Sequence, residues 1–485
     1  MKRKRKRKTP TRSRRDVETP SRPEPRHRRL AVFSLTLVLL SCLTHDTVFM
    51  AGNETSRFAQ IEALVDYGHT YIDESRYRQT IDRVEIDGKR YSNKPPLLSV
   101  LGAGVYFLLK HGIGLTFASN QGAVIYLLTL ILIGLPMAWL VARFDAALPI
   151  YPGIKPTTRN LTTFALAAGT ILTSFAVTFS NHPVAAALLF AACQAAWSGR
   201  SLAAGVWLAA LTLVDIVPGL VFAPFLGLVL RDAAGTKSLY NYIGALCAGA
   251  VIFVALNEWI VGYPLPAKMV PGAVDSSIPF APGQRGMYVW LNLPPMAGWS
   301  HWLQSLFGWH GFFTVSPVLL FGVWGLILSM RRGQAPLSWR TARFLGIASL
   351  IVLAGHVLLV GSFGGWSYGY RYMIPVIPIG LFFVPKSIAT ERRLFGAVLA
   401  ISIFFAFLGA YHPWPPVYEP EYTAQTLASV VTNPVGGNLS AWLAEYFPDL
   451  TLTRKAGEAF ISPNIRIREP YLRLFYASKN YNQAP

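Results

Sequence analysis

Charge is in short supply in this chain. Of its 485 residues only 14% are Asp, Glu, Lys or Arg, against 52% hydrophobic, and the mean hydropathy is +0.37. So little charge cannot cover a water-solvated surface of this size. The apolar residues also fall in long runs, as bilayer-spanning helices require. Cysteine is rarer still: Cys42, Cys193 and Cys247 each sit inside an apolar run, which argues against both a disulfide framework and a cysteine-based metal site. No P-loop and no glycine-rich dinucleotide fingerprint occurs, so chemistry driven by a bound nucleotide has no motif to rest on.

Acidic residues are scarcer than basic ones, 24 against 44, for a formal charge of +20. Residues 1–29 hold fourteen Lys and Arg against Asp16, Glu18 and Glu24, so +11 of the excess lies in one Pro-rich, aromatic-free tail. Composition predicts a disordered cytoplasmic tail drawn to anionic lipid. No RNA- or DNA-binding motif accompanies it, and nucleic acid is not an expected partner. The run after it, "LAVFSLTLVLLSCLTHDTVFM", lacks a convincing cleavage site and reads as a retained first span.

What is present predicts an all-α polytopic membrane protein with about eleven spans, near 31–50, 121–142, 160–180, 184–199, 201–213, 216–231, 240–262, 312–330, 343–362, 372–386 and 394–411. The basic connections (1–29, 143–159, Arg200, 231–237, 331–343 and 386–393) then share the cytoplasmic side. This holds only if 97–116 does not cross, so it is read as a helix lying along the outer face or partly re-entering it. A transmembrane domain over 30–411 would thus expose a first outer loop (51–120) and a Trp- and Pro-rich loop (263–311), with 412–485 as a small outer cap.

In the first outer loop, "NETSRFAQIEALVDYG" places Phe58, Ile61, Leu64 and Val65 on one face of an amphipathic helix, with Asn53 or Ser56 as cap and Gly68 as stop. Glu54 would sit in its first turn, where free N–H groups and the helix dipole favour a carboxylate. An ordinary first-turn acid fits the same pattern. Further on, "DGKRYSNKPPLLSVL" puts Lys94 before two prolines, which hold it outside the following helix on a fixed backbone. A lysine so placed suits a lipid phosphate, or else anchors the helix in the interface.

The order of first helix, acidic outer loop and lysine-proline-proline element resembles the GT-C superfamily of membrane glycosyltransferases, in its protein O-mannosyltransferase and aminoarabinose-transferase branch. "SNHPVAAALL" (180–189), "HGFFTVSPVLLFGVWGL" (310–326) and "GGWSYGYRYMIPVIP" (364–378) look like later signatures of bacterial lipid-carrier-dependent members. The resemblance spans most of 31–411. It departs where the family's Asp-Glu pair is here Asn53-Glu54.

The resemblance implies transfer of a sugar from a polyprenyl-phosphate donor to an acceptor lipid, glycan or protein on the outer, periplasmic face of the inner membrane. Glu54 is the nearest match to the catalytic acid, with Asp82 and Asp73 as alternatives. Lys94, Arg371 and Arg57 are candidates for the donor phosphate, and His182, Tyr91 and Tyr370 for other substrate contacts. Phe312-Phe313 and Trp366 to Tyr372 would wall a groove for the lipid chain. The sequence fixes no cofactor, and a carboxylate pair in the first outer loop could hold a divalent metal only if folding brings two such acids, for example Glu54 and Asp82, together. The alternative functions are a transporter or flippase of lipid-linked saccharides and a non-catalytic protein that binds them.

Overall fold

The computed structural model describes residues 26–47, 52–275, 298–331, 337–359, 367–414 and 434–460. Helix dominates. The first half contains α1 (Arg26–Leu43), α2 (Gly52–Glu62), α3 (Leu97–Ile113), α4 (Gln121–Thr129), α5 (Leu135–Ala147), α6 (Pro156–Ala168), α7 (Ile171–Ala176), α8 (Asn181–Trp197), α9 (Ser201–Val214), α10 (Ile216–Ala234) and α11 (Leu239–Val261). The second contains α12 (Gly298–Phe307), α13 (Leu319–Ser329), α14 (Trp339–Leu359), α15 (Ile377–Phe382), α16 (Val384–Ile388), α17 (Arg392–Tyr411), α18 (Pro434–Tyr446) and α19 (Thr451–Phe460).

Among the described residues five stretches are long and apolar enough to cross a membrane: Gln121–Ile150, Ile216–Ala234, Thr236–Val261, Trp339–Leu358 and Arg392–Tyr411. The remaining expected spans also contain helix, but shorter or interrupted. The run 160–180 breaks between α6 and α7, where Gly169 lies so close to α17 that a Cβ would stand 2.8 Å from Leu399. The run 372–386 opens as a 3₁₀ turn (Arg371–Val376) and continues as α15 and α16, because Pro375, Pro378 and Pro385 each remove a backbone donor. α1 starts before the expected span, so Arg26–Arg29 belong to a helix and not to the tail.

Contacts sort the helix ends into two groups. At one end Arg28 of α1 forks onto Asp145 of α5, with Nη2 2.8 Å from Oδ1, and Arg159 and Thr163 of α6 donate to the same carboxylate. Asp145 is fully buried, and these donors are what make its charge tolerable there. Gly199 meets Ala234, and Asp232 faces Arg340, so the α8–α9 turn, the end of α10 and the start of α14 join this group. The other end gathers His45, whose ring nitrogen lies 2.7 Å from the Ala410 carbonyl, Thr178 against Trp414, and Asn181 against the Val214 carbonyl.

The segment 52–120 caps that second end. α2 is buried along its whole length, so the expected half-exposed amphipathic helix is corrected to an interior one. Ser56 is not its cap either, because it lies inside the helix and donates to the Asp82 carbonyl at 2.6 Å. Gly68 does stop the segment, with φ 74. The all-α expectation misses a small antiparallel sheet, β1 (Arg83–Ile86), β2 (Lys89–Ser92) and β3 (Val274–Asp275), in the order β2-β1-β3. Its hairpin turns at Asp87-Gly88, both at positive φ, a two-residue turn that matches strand twist.

α3 runs beside α2. Ser92, before it, shares a 2.7 Å hydrogen bond with Ser56. Gly102 packs on Ile61, and Tyr106 and Lys110 both reach Asp66. After Gly114 the chain folds back so that Phe117 packs on Phe58, with ring centroids 5.8 Å apart. Both flanks of α3 therefore touch α2.

Candidate functional site

The charged residues of this capped end converge on the start of α8. From α2, Arg57 donates to the carbonyl of Asn53 at 2.9 Å and to its side chain, and reaches across to Asn181 Oδ1 at 2.9 Å. Glu54, one turn earlier, accepts the backbone N–H of Phe179 at 3.0 Å. These two contacts fasten α2 to the Phe179–Asn181 turn and bury both charges, Glu54 at 2% and Arg57 at 1% exposure.

The hairpin supplies the second pair. Asp82 precedes β1 and Lys94 follows β2, so the antiparallel register brings them side by side, Nζ to Oδ2 at 2.6 Å. Gly52 lets this pair approach α2, since a Cβ there would stand 2.9 Å from the Asp82 carboxyl carbon. The two prolines keep Lys94 out of α3 as expected, but its side chain points inward and is 13% exposed, which corrects the picture of a lysine presented at the surface.

Two further groups complete the cluster. His182 Nδ1 lies 3.1 Å from Asp215 Oδ2, joining the start of α8 to the α9–α10 turn. Arg371 is 8% exposed and lies over Trp414 (4.8 Å) and Tyr372 (5.4 Å), with Tyr372 also edge-on to His182. Among the described residues the Nε–H groups of Arg57 and Arg371 have no acceptor. Unanswered buried donors of this kind cost free energy unless a ligand meets them.

Electrostatics bind these residues into one site. Burial pushes Arg57 down to about 10 against the pull of Asp82, with Arg371 adding to the depression. Burial alone would raise Asp82, but Lys94, Lys268 and Arg371 override it and hold the carboxyl at about 2. Lys94 is pushed down to about 7 by burial, opposed by Asp82 and reinforced by Lys268 and Arg57. Among the described residues the cations Arg57, Lys94, Lys268 and Arg371 thus act on one another and on the carboxylates Glu54, Asp82 and Asp215.

Of the residues expected from sequence, Glu54, Arg57, Asp82, Lys94, His182 and Arg371 come together, and three do not. Asp73 is paired with Arg90 at 2.6 Å and accepts its backbone N–H, contacts that lower its pKa and hold the hairpin to the preceding turn. Tyr91 stands opposite Val84 in the hairpin and packs with Ile260 and Val261. Tyr370 is fully buried in the main core. Of the expected groove wall, Phe312 is buried and packs on Phe313, while Trp366 lies outside the described residues.

Asn181, Asp215 and Lys268 were not expected. Asn181 lies inside the quoted "SNHPV", whereas Lys268 arrives from a loop with no motif, so only folding reveals it. Among the described residues no three His, Cys, Asp or Glu side chains are grouped to hold a metal. Glu54 and Asp82 both act on Arg57, but each is engaged elsewhere, with Phe179 and Lys94. The site is therefore defined by its own geometry alone: no protein-family model and no curated protein matches the chain.

Proposed function

We propose that the chain is a multi-span membrane glycosyltransferase of the GT-C type, moving a sugar from a polyprenyl-phosphate donor to an acceptor hydroxyl at the outer, periplasmic face. The observation that carries this reading is the cluster of buried guanidinium and ammonium groups, in which the Nε–H donors of Arg57 and Arg371 have no acceptor among the described residues. A phosphate supplies acceptors for both in one group. The two groups of helix ends favour the same topology: eleven crossings, α3 outside, and the basic connections together on the cytoplasmic side.

In this reading the acceptor oxygen attacks the anomeric carbon while its proton passes to a carboxylate. The bond from that carbon to the phosphate oxygen breaks, and its electron pair leaves with the phosphate. Asp82 is committed to Lys94, so it positions the lysine and Glu54 takes the proton. Lys94, Arg57 and Arg371 stabilise the charge that builds on the departing phosphate.

Purified protein in proteoliposomes, given a radiolabelled polyprenyl-phosphate sugar, should transfer label to an acceptor. Glu54→Gln should cut turnover by ~10²–10⁴ while donor binding is kept. Transbilayer movement of intact donor without transfer would favour a flippase, and binding without either would favour a non-catalytic protein.

A further inference from the structure

At the opposite end of the bundle Arg143 of α5 lies within electrostatic reach of two more arginines. Arg29 of α1 adjoins Arg28, which is bound to Asp145. Arg143 lies two residues before that aspartate on α5, within electrostatic reach of both Arg29 and Arg200 of the α8–α9 turn. Arg28 and Arg159 thus have a carboxylate, whereas among the described residues Arg29, Arg143 and Arg200 are ion-paired to none. Arg143 is half-buried, and its Nε–H, fully shielded from solvent, has no acceptor among the described residues.

What lies below the arginines decides the ligand. The Arg143 guanidinium sits 5.0 Å over the Trp139 ring, and Trp139 packs on Trp207 of α9 at 5.5 Å. On α9, Leu202 and Val206 are 58% and 49% exposed. A cationic head above a tryptophan pair and exposed aliphatic side chains matches a molecule with a phosphate at one end and hydrocarbon at the other.

We propose that Arg143, floored by Trp139 and Trp207, forms with its neighbours Arg29 and Arg200 a binding site for the phosphate headgroup of an anionic phospholipid of the cytoplasmic leaflet. The site is separate from the Glu54–Lys94 cluster. It rests on the reading that the helices cross a membrane, though not on the glycosyltransferase activity.

The test reconstitutes the full chain in nanodiscs or mixed micelles holding equal phosphatidylglycerol and phosphatidylcholine, and reads the lipids retained by native mass spectrometry. Wild type should retain phosphatidylglycerol several-fold over phosphatidylcholine. Arg143→Gln with Arg200→Gln should abolish that preference, while Lys110→Gln, a basic change at the other end, should leave it intact. A thermal melt within a few degrees of wild type confirms that the double variant is folded; if it is not, the single Arg200→Gln variant at the exposed position must show a reduced preference. Equal preference in wild type and double variant overturns the proposal. So does displacement of the lipid by millimolar inorganic phosphate, since the site would then take free anion. A preference that emerges only after residues 2–25 are deleted also overturns it, by showing that Asp16, Glu18 or Glu24 fill the site. Failure of the protein to enter bilayers at all, read by alkaline extraction, would instead remove the membrane reading on which the site depends.

Discussion

Lys94 shows how a single residue can be set by two opposing demands. Burial and neighbouring cations favour its neutral form, while Asp82 at 2.6 Å favours the charged one, and the balance leaves it near 7. A phosphate ligand needs the ammonium, so donor affinity should weaken as pH rises through about 7, and Lys94→Arg should move that loss well upward. The stability effect has the opposite sign. Between about 7 and the ordinary value of 10.5 the unfolded chain holds a proton that the folded chain lacks, so stability rises with pH across that window. Melting temperature measured across it should climb more for wild type than for Lys94→Met. An equal climb would mean that Lys94 titrates normally in the folded state. Lys94→Ala should also weaken donor binding by about 1.5–3 kcal/mol, as loss of a charge-assisted contact does, and unchanged binding would assign the lysine to structure alone.

Helices in this chain were legible because their apolar runs are long, and burial against lipid or protein asks the same composition of both. Junctions were less legible. The break at Gly169 depends on the approach of α17, which no local pattern records. The hairpin did have a signal, Asp87-Gly88 between "VEI" and "KRY", but it lay in a loop read for charge and not for strands. The same logic separates the charges of the site: Lys94 and Asp82 could each be suspected alone, whereas their pairing needed the register of β1 on β2.

Close helix packing gives an independent check at this scale. At Gly205 of α9 a Cβ would stand 2.7 Å from the Tyr242 carbonyl of α11, and at Gly249 of α11 it would stand 2.4 Å from Ala209. Gly244, on the same helix, faces open space. Gly205→Ala and Gly249→Ala should therefore each destabilise by about 1–3 kcal/mol, and Gly244→Ala should be neutral or slightly stabilising. Thermal melts of the three variants decide whether α9 and α11 touch as closely as described.

For the whole molecule, the proposed topology depends on α3 not crossing the bilayer. Cysteines placed at Gly112 and Ala118 should be labelled from the outer side in sealed vesicles. Labelling of Ala118→Cys only from the cytoplasmic side would reverse every later segment up to α17 and separate the site from its donor. Less was legible about the C-terminal region. Asn438 of α18 is bound to the carbonyls of Leu408 and His412, so this region is tied to the end of α17, although 415–433 and 461–485 lie outside the described residues.

The placement of α3 also bears on how the protein is made. It is 17 residues long and strongly apolar, and it leaves the ribosome before α4 and α5, so the insertion machinery meets a segment that resembles a span. In the proposed topology the features that hold it back are α2, which precedes it and packs on it, and the basic turn after α5, which follows. Until that turn is synthesised nothing fixes the direction of the chain. A nascent chain arrested once α3 has cleared the ribosome, but before Arg159 has, should thread α3 across the bilayer, and one arrested after Arg159 has cleared it should have α3 withdrawn. A side-specific reporter at position 112 should accordingly change sides as the arrested chain lengthens. One that stays outside at every length would mean that α2 captures α3 before the membrane does.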